Sequence, residues 1–354
     1  MNTPSDTFHR YIRWTAMTAL LACTAVFGVN ATIDPLWYFG GNRLNGENRP
    51  FNEREAKINL LMQSPQDYDC IIFGSSRTTL MPADAFAPHR CFNLAFSSGQ
   101  IEEFIAYADY LKHLDIHPSL IVVGVDGFNF MVDGRDPLSI PAFVGAKRAP
   151  DVVLASYLSI DTLKMSWDAQ SPKPVPRYYD AGFNGVVHRN APRFDPAHLD
   201  RAEGQQRGDA EARRSIPYAP NRAALYAKLI ATFPDARFLA YVPPISAWHI
   251  DDMARRNVLD GYLDALHATA QLFPRMIDFS IPGTQTASTG NTYDGSHYTQ
   301  ALNRDMGRSL LDPASPGWGI DVTGLSRDVY QSRYRRALLA FRDSQMPGAA
   351  ATPH

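Results

Sequence analysis

The chain has 354 residues, of which 45% are hydrophobic and 20% are charged, and its formal net charge is -2 at pH 7. This composition excludes a wholly disordered chain and is sufficient for one large folded domain. The sequence has no basic stripe with interleaved aromatic residues, so we expect no nucleic-acid partner.

An uncharged run occupies residues 14–33. As a helix it would span roughly 30 Å, the thickness of a bilayer core. Arg10 and Arg13 precede the run, so the positive-inside rule predicts a cytoplasmic N-terminus at residues 1–13, an inner-membrane anchor, and the remainder in the periplasm. Three alternatives stay open. One is a cleaved signal peptide, another is a lipoprotein, because residues 20–23 (LLAC) resemble a lipobox, and the third is a buried helix of a soluble protein, which the preceding arginines disfavour.

Residues 34–67 are predicted to form a linker with a helix at 53–63, and residues 68–345 the folded domain. Short apolar runs typical of buried strands lie at 69–74, 91–96, 120–125, 237–242 and 275–279. Helical patterns lie between and after them at 101–114, 221–233, 251–273 and 326–342, the last as an Arg-rich surface helix. This alternation predicts an α/β fold with a parallel sheet covered by helices on both faces.

The interval of residues 130–219 does not follow the strand–helix alternation. It contains helical pieces at 152–167, turn-rich stretches, and a polar run at 198–214 that we expect to be solvated. We interpret the interval as a cap-like insertion on the sheet. Residues 346–354 form a predicted disordered tail.

Three cysteines are present, and Cys23 lies in the apolar run. Cys70 and Cys91 each stand at the start of a predicted strand, in an exported compartment where disulfides persist. If these strands are parallel neighbours, the two residues are close enough for a disulfide, and the alternative is two buried free thiols. The sequence has no C-x-x-C or H-E-x-x-H pattern, so we expect no metal and no cofactor.

A Gly-Ser-Ser motif at residues 74–76 follows the first predicted strand. Ligands of open α/β sheets bind outside the carboxyl ends of the strands, so Ser76 can present its hydroxyl to that crevice. Gly74 would permit a sharp turn, and Ser76 would stand at the N-terminus of a following helix. By itself this motif is weak, because Gly-Ser-Ser is also a common turn.

Asp294 and His297 follow the fifth predicted strand. A serine nucleophile needs a base, and the base needs an orienting carboxylate. Taken alone, the pair is as readily a helix N-cap and a surface histidine. The order Ser, Asp, His, each at the carboxyl edge of one sheet, favours Ser76, Asp294 and His297 as a catalytic triad.

At these positions the sequence resembles the SGNH (GDSL-like) hydrolase superfamily, with Gly-Asp-Ser after the first strand and Asp-x-x-His before the last helix. Ser76 takes the nucleophile position and Asp294 and His297 match the last motif, whereas Ser75 replaces the commonest Asp. The Gly-Ser-Ser form is similar to the single-pass cell-envelope branch, which includes DltD-like and alginate O-acetylation proteins. The resemblance covers residues 68–127 and 238–311 and implies a three-layer, flavodoxin-like parallel sheet.

The resemblance also implies an oxyanion hole, whose N–H donors stabilise the negative oxygen of acyl transfer. The backbone N–H of Ser76 is one implied donor, and Gly99 after the second strand matches another. Asn129 resembles the third donor, although Phe130 replaces the Asp that follows in the family. The alternative is that Asn129 is a loop residue and that Asp126 holds the strand end.

Two further residues are candidates for substrate binding. Arg77 adjoins the nucleophile and would bind a carboxylate or a sugar, or else form a structural ion pair. His249 follows the fourth strand and would line the cleft or lie on the surface. The aromatic residues Trp167, Tyr178 and Tyr179 of the insertion would stack on sugars or form the insertion's own small core.

These features predict a membrane-anchored serine esterase or O-acyltransferase acting on an acylated cell-envelope glycan or polymer. His297 would remove the Ser76 proton, and the acyl group would pass to water or to a sugar hydroxyl. A membrane-bound acyl-donor protein would be the partner in transfer. The alternative is a non-catalytic binding or assembly subunit of an envelope polysaccharide complex, which the distance between Ser76 and His297 would distinguish.

Overall fold

A computed structural model describes residues 4–131, 150–173, 175–199, 217–314 and 317–346. A six-stranded sheet lies at the centre of these residues, in the order β2-β1-β3-β6-β7-β8. The first five are parallel and β8 is antiparallel. The sheet strands are β1 (Cys70–Phe73), β2 (Cys91–Asn93), β3 (Leu120–Gly124), β6 (Arg237–Val242), β7 (Met276–Asp278) and β8 (Ile320–Asp321).

If only the five parallel strands are numbered, in chain order, their order across the sheet is 2-1-3-4-5. This order occurs in flavodoxin-like doubly wound sheets. All five lie where apolar runs predicted them. The antiparallel strand β8 was not predicted, because two residues are too short for a periodic pattern.

Helices cover both faces of the sheet, as the strand–helix alternation predicted. Side chains of β1 alternate between two cores, with Ile71 and Phe73 on one face and Cys70 and Ile72 on the other. The helices are α1 (Pro4–Ile33), α2 (Glu53–Leu61), α3 (Ile101–His113), α4 (Pro150–Tyr157), α5 (Ile160–Ala169), α6 (Ala223–Thr232), α7 (Ala247–Arg255), α8 (Leu259–Ala270), α9 (Gln300–Leu311) and α10 (Arg327–Ser344). The first core includes side chains of α2, α3, α6, α7, α8 and α10, and the second includes those of α9.

Two helical predictions in the second half of the chain differ from the structure. The single helix expected at 251–273 is two helices, α7 and α8, because the chain enters the left-handed region at Asn257, with φ 59°. Asparagine tolerates this conformation better than most residues. The Arg-rich helix α10 is exposed on one side only, since Tyr330 and Tyr334 are fully buried against the sheet.

The insertion leaves the sheet domain at Phe130 and returns at Ala219, whose N–H donates to the Phe130 carbonyl at 2.7 Å. Its described part contains α4, α5 and an antiparallel hairpin of β4 (Arg177–Tyr179) and β5 (Gly185–Val187). Most of the predicted polar run and residues 347–354 of the predicted tail lie outside the described residues.

Helix α1 is long and apolar enough over Thr7–Ile33 to span a membrane. Its last two turns pack against α4 and α5 of the insertion. The side chain of Asn30, fully buried there, donates to the Tyr157 carbonyl and accepts from the Ser166 hydroxyl, both at 2.8 Å. After the helix ends, Asp34 accepts from backbone N–H groups of the following turn and fixes the exit of the chain.

Cys70 and Cys91 occupy paired positions on the parallel strands β1 and β2. Their Cα atoms lie 4.2 Å apart and a disulfide joins them. The bridge joins positions that are 21 apart in the sequence, and the loop it closes includes Ser76. It therefore crosslinks the two strands whose carboxyl ends lead into the site described below.

We expect the free energy of unfolding of the double variant Cys70→Ala/Cys91→Ala to be about 3 kcal/mol lower than that of the wild type, because the bridge restricts the unfolded chain. Urea unfolding of the full chain in detergent measures the difference. Cys23→Ala, which changes a cysteine outside the bridge, is the control. Equal midpoints for the wild type and the double variant, or two free thiols by non-reducing mass spectrometry, would contradict this assignment.

Candidate active site

Three predicted residues meet beyond the carboxyl edge of the sheet. The Ser76 hydroxyl, after β1, lies 2.8 Å from His297 Nε2 in the loop between β7 and α9. His297 Nδ1 in turn lies 2.6 Å from Asp294 Oδ2. Both distances are within the range for hydrogen bonding, so the three side chains form an unbroken relay.

The Asp294 carboxylate is fixed by its own loop. It accepts from the backbone N–H groups of Ser296 and His297 as well as from the His297 ring. Burial raises the pKa of Asp294, but the His297 hydrogen bond and charge, together with the two backbone N–H groups, lower it to about 2. A carboxylate charged at neutral pH favours a proton on His297 Nδ1, which leaves Nε2 to accept from Ser76.

Glycine is required within this loop. Gly295 has φ 85°, in the left-handed region that disfavours side chains. A Cβ at this position would lie 2.7 Å from both His249 Cε1 and Phe194 Cε2. The loop can therefore pack closely against these rings only with glycine between Asp294 and Ser296.

The loop after β1 is called the nucleophile loop because it carries Ser76, the predicted nucleophile. Packing shapes this loop more than a helix does. A Cβ added at Gly74 or Gly124 would lie 2.3 Å or 2.0 Å from Thr78 Oγ1, so the glycines at the ends of β1 and β3 make room for Thr78. The prediction of a helix starting at Ser76 is wrong, because only a short 3-10 turn, Thr78–Leu80, follows. A helix dipole therefore does not contribute at Ser76.

A first cleft of about 410 Å³ opens beside Ser76 and His297. One part of its wall is apolar or aromatic, and another part is polar. The apolar and aromatic residues are Phe128, Met131, Tyr218, Ile245, Met253, Val258 and Tyr262; the polar residues include Arg77, Ser98, His249, Asp252 and Arg256. Such a wall suits an apolar or weakly polar group held next to the relay.

Two residues of the first cleft keep backbone N–H groups that are available to a ligand. Ser76 and Ser98 both line it, and their N–H groups have no acceptor within the described residues. The predicted donor Gly99 is not placed for this role, because its N–H donates to the Phe96 carbonyl at 3.0 Å. A Cβ at Gly99 would lie 2.7 Å from the Gly74 carbonyl, so its glycine allows close packing instead.

The predicted donor Asn129 also points elsewhere. Its side chain is buried, it is absent from the wall of the first cleft, and its Oδ1 accepts from the Ile101 N–H at 3.0 Å. Its carbonyl accepts from Arg222 Nε at 2.6 Å. Asn129 therefore tethers the loop after β3 to the start of α3. This placement agrees with the alternative prediction, in which Asn129 is a loop residue and not an oxyanion donor.

Both predicted substrate-binding residues line the first cleft. Arg77 forms an ion pair with the fully buried Asp126, the residue expected to hold the end of β3. His249 Nδ1 lies 2.7 Å from the Ser246 hydroxyl, and the imidazole stacks on Phe194 with ring centroids 5.9 Å apart. Each side chain is thus positioned by the protein before any ligand is present.

Arg177, on β4 of the insertion, is a site residue that sequence reasoning missed. Its guanidinium donates to the Ser76 carbonyl at 3.0 Å and to Thr79 Oγ1 at 2.5 Å. It also donates to the Ser97 hydroxyl at 2.5 Å and to Glu53 at 3.3 Å. One side chain therefore joins the insertion to the nucleophile loop, to the loop after β2, and to α2.

Glu53 balances this buried guanidinium. It accepts from the Ser97 N–H at 2.6 Å and from the Tyr179 hydroxyl. Burial raises the pKa of Glu53, but Arg177 and these hydrogen bonds bring it below its usual value. Nearby, burial lowers the pKa of Lys57 to about 7. Tyr179 is buried in a cluster with Trp37, Ala56 and Phe183, so it packs the insertion against the segment before the sheet and does not belong to a separate core of the insertion.

A second cleft of about 390 Å³ reaches His297 from the side of the insertion hairpin. Its wall is mixed, with the basic or titratable side chains of His188, Arg189 and Arg193 beside apolar residues such as Val187 and Pro192. The Tyr293 ring, also in this wall, stacks on the His297 imidazole with centroids 5.4 Å apart. His297 thus lines both clefts, and the second has basic side chains of the insertion in its wall. Neither Trp167 nor Tyr178 lines either of them.

No protein-family model matches the chain, and a search of curated proteins found no match. Within the described residues, no group of three or more His, Cys, Asp and Glu side chains is arranged to hold a metal ion. The chemistry of the site is therefore interpreted from its own geometry.

We expect Arg177→Met to lower the free energy of unfolding by about 3 kcal/mol, because it leaves the Glu53 carboxylate buried without its cation. The double variant Glu53→Gln/Arg177→Met should recover part of the loss, since it removes the uncompensated charge. Arg189→Met, an exposed arginine in the same insertion, is the control. Urea unfolding measures all four proteins, and a midpoint for Arg177→Met equal to that of the wild type would contradict the role of this pair.

Proposed function

We propose that this chain is a membrane-anchored serine esterase or O-acyltransferase of the SGNH type. The observation that carries the proposal is the relay from Ser76 through His297 to Asp294, which opens on a cleft. The 2-1-3-4-5 strand order and the position of all three residues at one sheet edge are consistent with the three-layer SGNH fold. The 2.8 Å contact between Ser76 and His297 favours an enzyme over a non-catalytic binding subunit.

The proposed reaction begins when His297 Nε2 takes the Ser76 proton and the serine oxygen attacks the ester carbonyl carbon. The tetrahedral intermediate then expels the alcohol oxygen, which takes the proton from His297 and leaves an acyl-serine. Water or a sugar hydroxyl next gives its proton to His297 and attacks the acyl carbon, and Ser76 departs with that proton. Asp294 remains charged throughout and stabilises the imidazolium.

The oxyanion of each tetrahedral intermediate is proposed to bind the N–H groups of Ser76 and Ser98. Fixed donors of this kind contribute about 3 kcal/mol each to transition-state stabilisation. Arg177 supports the arrangement, because it holds the Ser76 carbonyl and the hydroxyl of Ser97, the residue before the second donor. Donors held in this way need little reorganisation when the negative charge develops.

The two clefts favour transfer to a second substrate. The apolar and aromatic part of the first cleft suits the acyl group, and the second cleft, which also reaches His297, offers His188, Arg189 and Arg193 to a polar acceptor. The proposed substrate is an acylated glycan or polymer of the cell envelope. In transfer, the proposed partner is a membrane-bound acyl-donor protein.

The proposed location is the inner membrane, with the catalytic domain in the periplasm. The disulfide between Cys70 and Cys91 supports an oxidising compartment. The buried contacts of Asn30 with the insertion support an anchor that retains this residue. These contacts disfavour a signal peptide that is cleaved after Asn30, because cleavage there would remove Asn30. Lipoprotein processing at Cys23 would retain Asn30 and is not disfavoured.

A fluorophosphonate probe tests the nucleophile, because it reacts covalently with activated serines. We expect the full chain in detergent to be labelled at Ser76 and Ser76→Ala to remain unlabelled. His297→Gln should be labelled far more slowly, because the general base is absent. Ser75→Ala, which changes the neighbouring serine, should retain the label. Equal labelling of the wild type and Ser76→Ala would refute the assignment.

We expect Asp294→Asn to fold but to hydrolyse p-nitrophenyl acetate with kcat/KM about a thousandfold to ten-thousandfold lower, as when the relay carboxylate of a serine triad is replaced. The amide can present its NH₂ group to His297 Nδ1 and so favour the wrong tautomer. Steady-state kinetics and circular dichroism measure activity and folding separately. A loss of less than tenfold in a folded variant would contradict the role of Asp294.

A further inference from the structure

The insertion helices α4 and α5 lie beside the last two turns of α1. Phe27 and Tyr157 are in aromatic contact, with ring centroids 5.9 Å apart. Asn30 is bound by the Tyr157 carbonyl and by Ser166. Because Phe27 and Asn30 belong to the apolar part of α1, a bilayer spanned by α1 would reach the level of this helix pair.

The same helix pair exposes a group of large apolar side chains. Single exposed apolar residues are ordinary on a protein surface, whereas a contiguous group indicates an interaction site. These residues are on α4, on α5 and in the turn between them. They are Val152, Leu154, Leu158, Ile160 and Trp167, which are 45%, 52%, 36%, 82% and 80% exposed.

Their spacing places several of them on common helix faces. Leu154 and Leu158 are four residues apart, and Ile160, Lys164 and Trp167 follow the i, i+4, i+7 spacing of one helical stripe. Tryptophan is enriched at membrane interfaces, and lysine beside it can extend its ammonium group into water. The stripe therefore has the composition of a surface at the boundary between lipid and water.

We propose that the α4–α5 pair is a second membrane contact, seated in the outer interface of the bilayer that α1 spans. Lipid covers Leu154, Leu158, Ile160 and Trp167. The inference depends on α1 crossing a bilayer and not on the ester chemistry.

The position of the pair favours lipid over a protein partner. The buried contacts of Asn30 fix α4 and α5 at a set depth along α1. Whatever surrounds the end of α1 at that depth also meets the exposed residues of the pair. The exposed charges on the two helices include Asp151, Asp161 and Lys164, without a basic cluster, so burial of apolar area drives the contact.

This contact has a consequence for the active site. Only residues 170–176 separate α5 from Arg177, which binds the Ser76 carbonyl. A helix pair seated in the membrane would therefore set the orientation of the nucleophile loop relative to the bilayer. A substrate carried by the membrane would meet the clefts in one orientation.

Spin labels in vesicles of equal parts phosphatidylcholine and phosphatidylglycerol test the proposal on the full chain. A cysteine replaces Ile160 in a Cys23→Ala background, and the disulfide-bonded Cys70 and Cys91 do not react. The matched control is Leu339→Cys, an apolar residue on α10 that is 55% exposed. A label on native Cys23 reports on α1 itself. Accessibility to oxygen, which concentrates in lipid, is compared with accessibility to a water-soluble nickel chelate.

We expect the label at position 160 to be accessible to oxygen and protected from nickel, like the label on Cys23. The label at position 339 should show the reverse. High salt should leave the pattern at position 160 unchanged. Leu154→Cys, on the other helix of the pair, should behave as Ile160→Cys does.

Three results would overturn the proposal. Nickel accessibility at position 160 equal to that at position 339 would place the helix pair in water. Protection from both reagents would indicate a protein partner or a second copy of the chain. Nickel accessibility at Cys23 would show that α1 does not span the bilayer. None of these results depends on the fluorophosphonate experiment, so the two proposals can fail separately.

Discussion

The organisation of the site depends on the hydrogen bonds and the ion pair made by the buried guanidinium of Arg177. A charge buried in this way is costly unless hydrogen bonds and an opposite charge compensate it. Here the Ser76 carbonyl, Thr79, Ser97 and Glu53 supply both. Each of these partners lies outside the insertion that carries Arg177. The contacts that compensate this one cation therefore hold the insertion against the nucleophile loop. The insertion is therefore part of the site and not only a cover over it.

The sheet and the relay could be predicted from the sequence because each depends on a local pattern. Five apolar runs marked the parallel strands, and the edge of the sheet then brought Ser76 together with Asp294 and His297. The disulfide followed from the position of Cys70 and Cys91 at the starts of two strands. In each case short segments were combined with the rules of parallel sheets, and the triad also needed the chain order Ser, Asp, His, because each of its motifs is weak alone.

Other features of the site could not be predicted, because they depend on contacts between distant segments or on single backbone angles. Arg177 and Glu53 are 124 residues apart, and Arg177 lies in a turn-rich stretch without periodicity. Ser98 has a left-handed φ of 55° and its N–H has no acceptor among the described residues, whereas the Gly99 N–H donates to the Phe96 carbonyl. A motif places the loop correctly but does not determine which of its N–H groups is free.

The central claim is that Ser76 becomes acylated through His297. Intact and peptide mass spectrometry of the full chain, quenched early in its reaction with p-nitrophenyl acetate, tests this most directly. We predict one acetyl group on the peptide containing Ser76, and its loss on further incubation with a hydroxyl acceptor. An acetyl group found only on other residues, together with equal ester turnover by Ser76→Ala, would contradict the account.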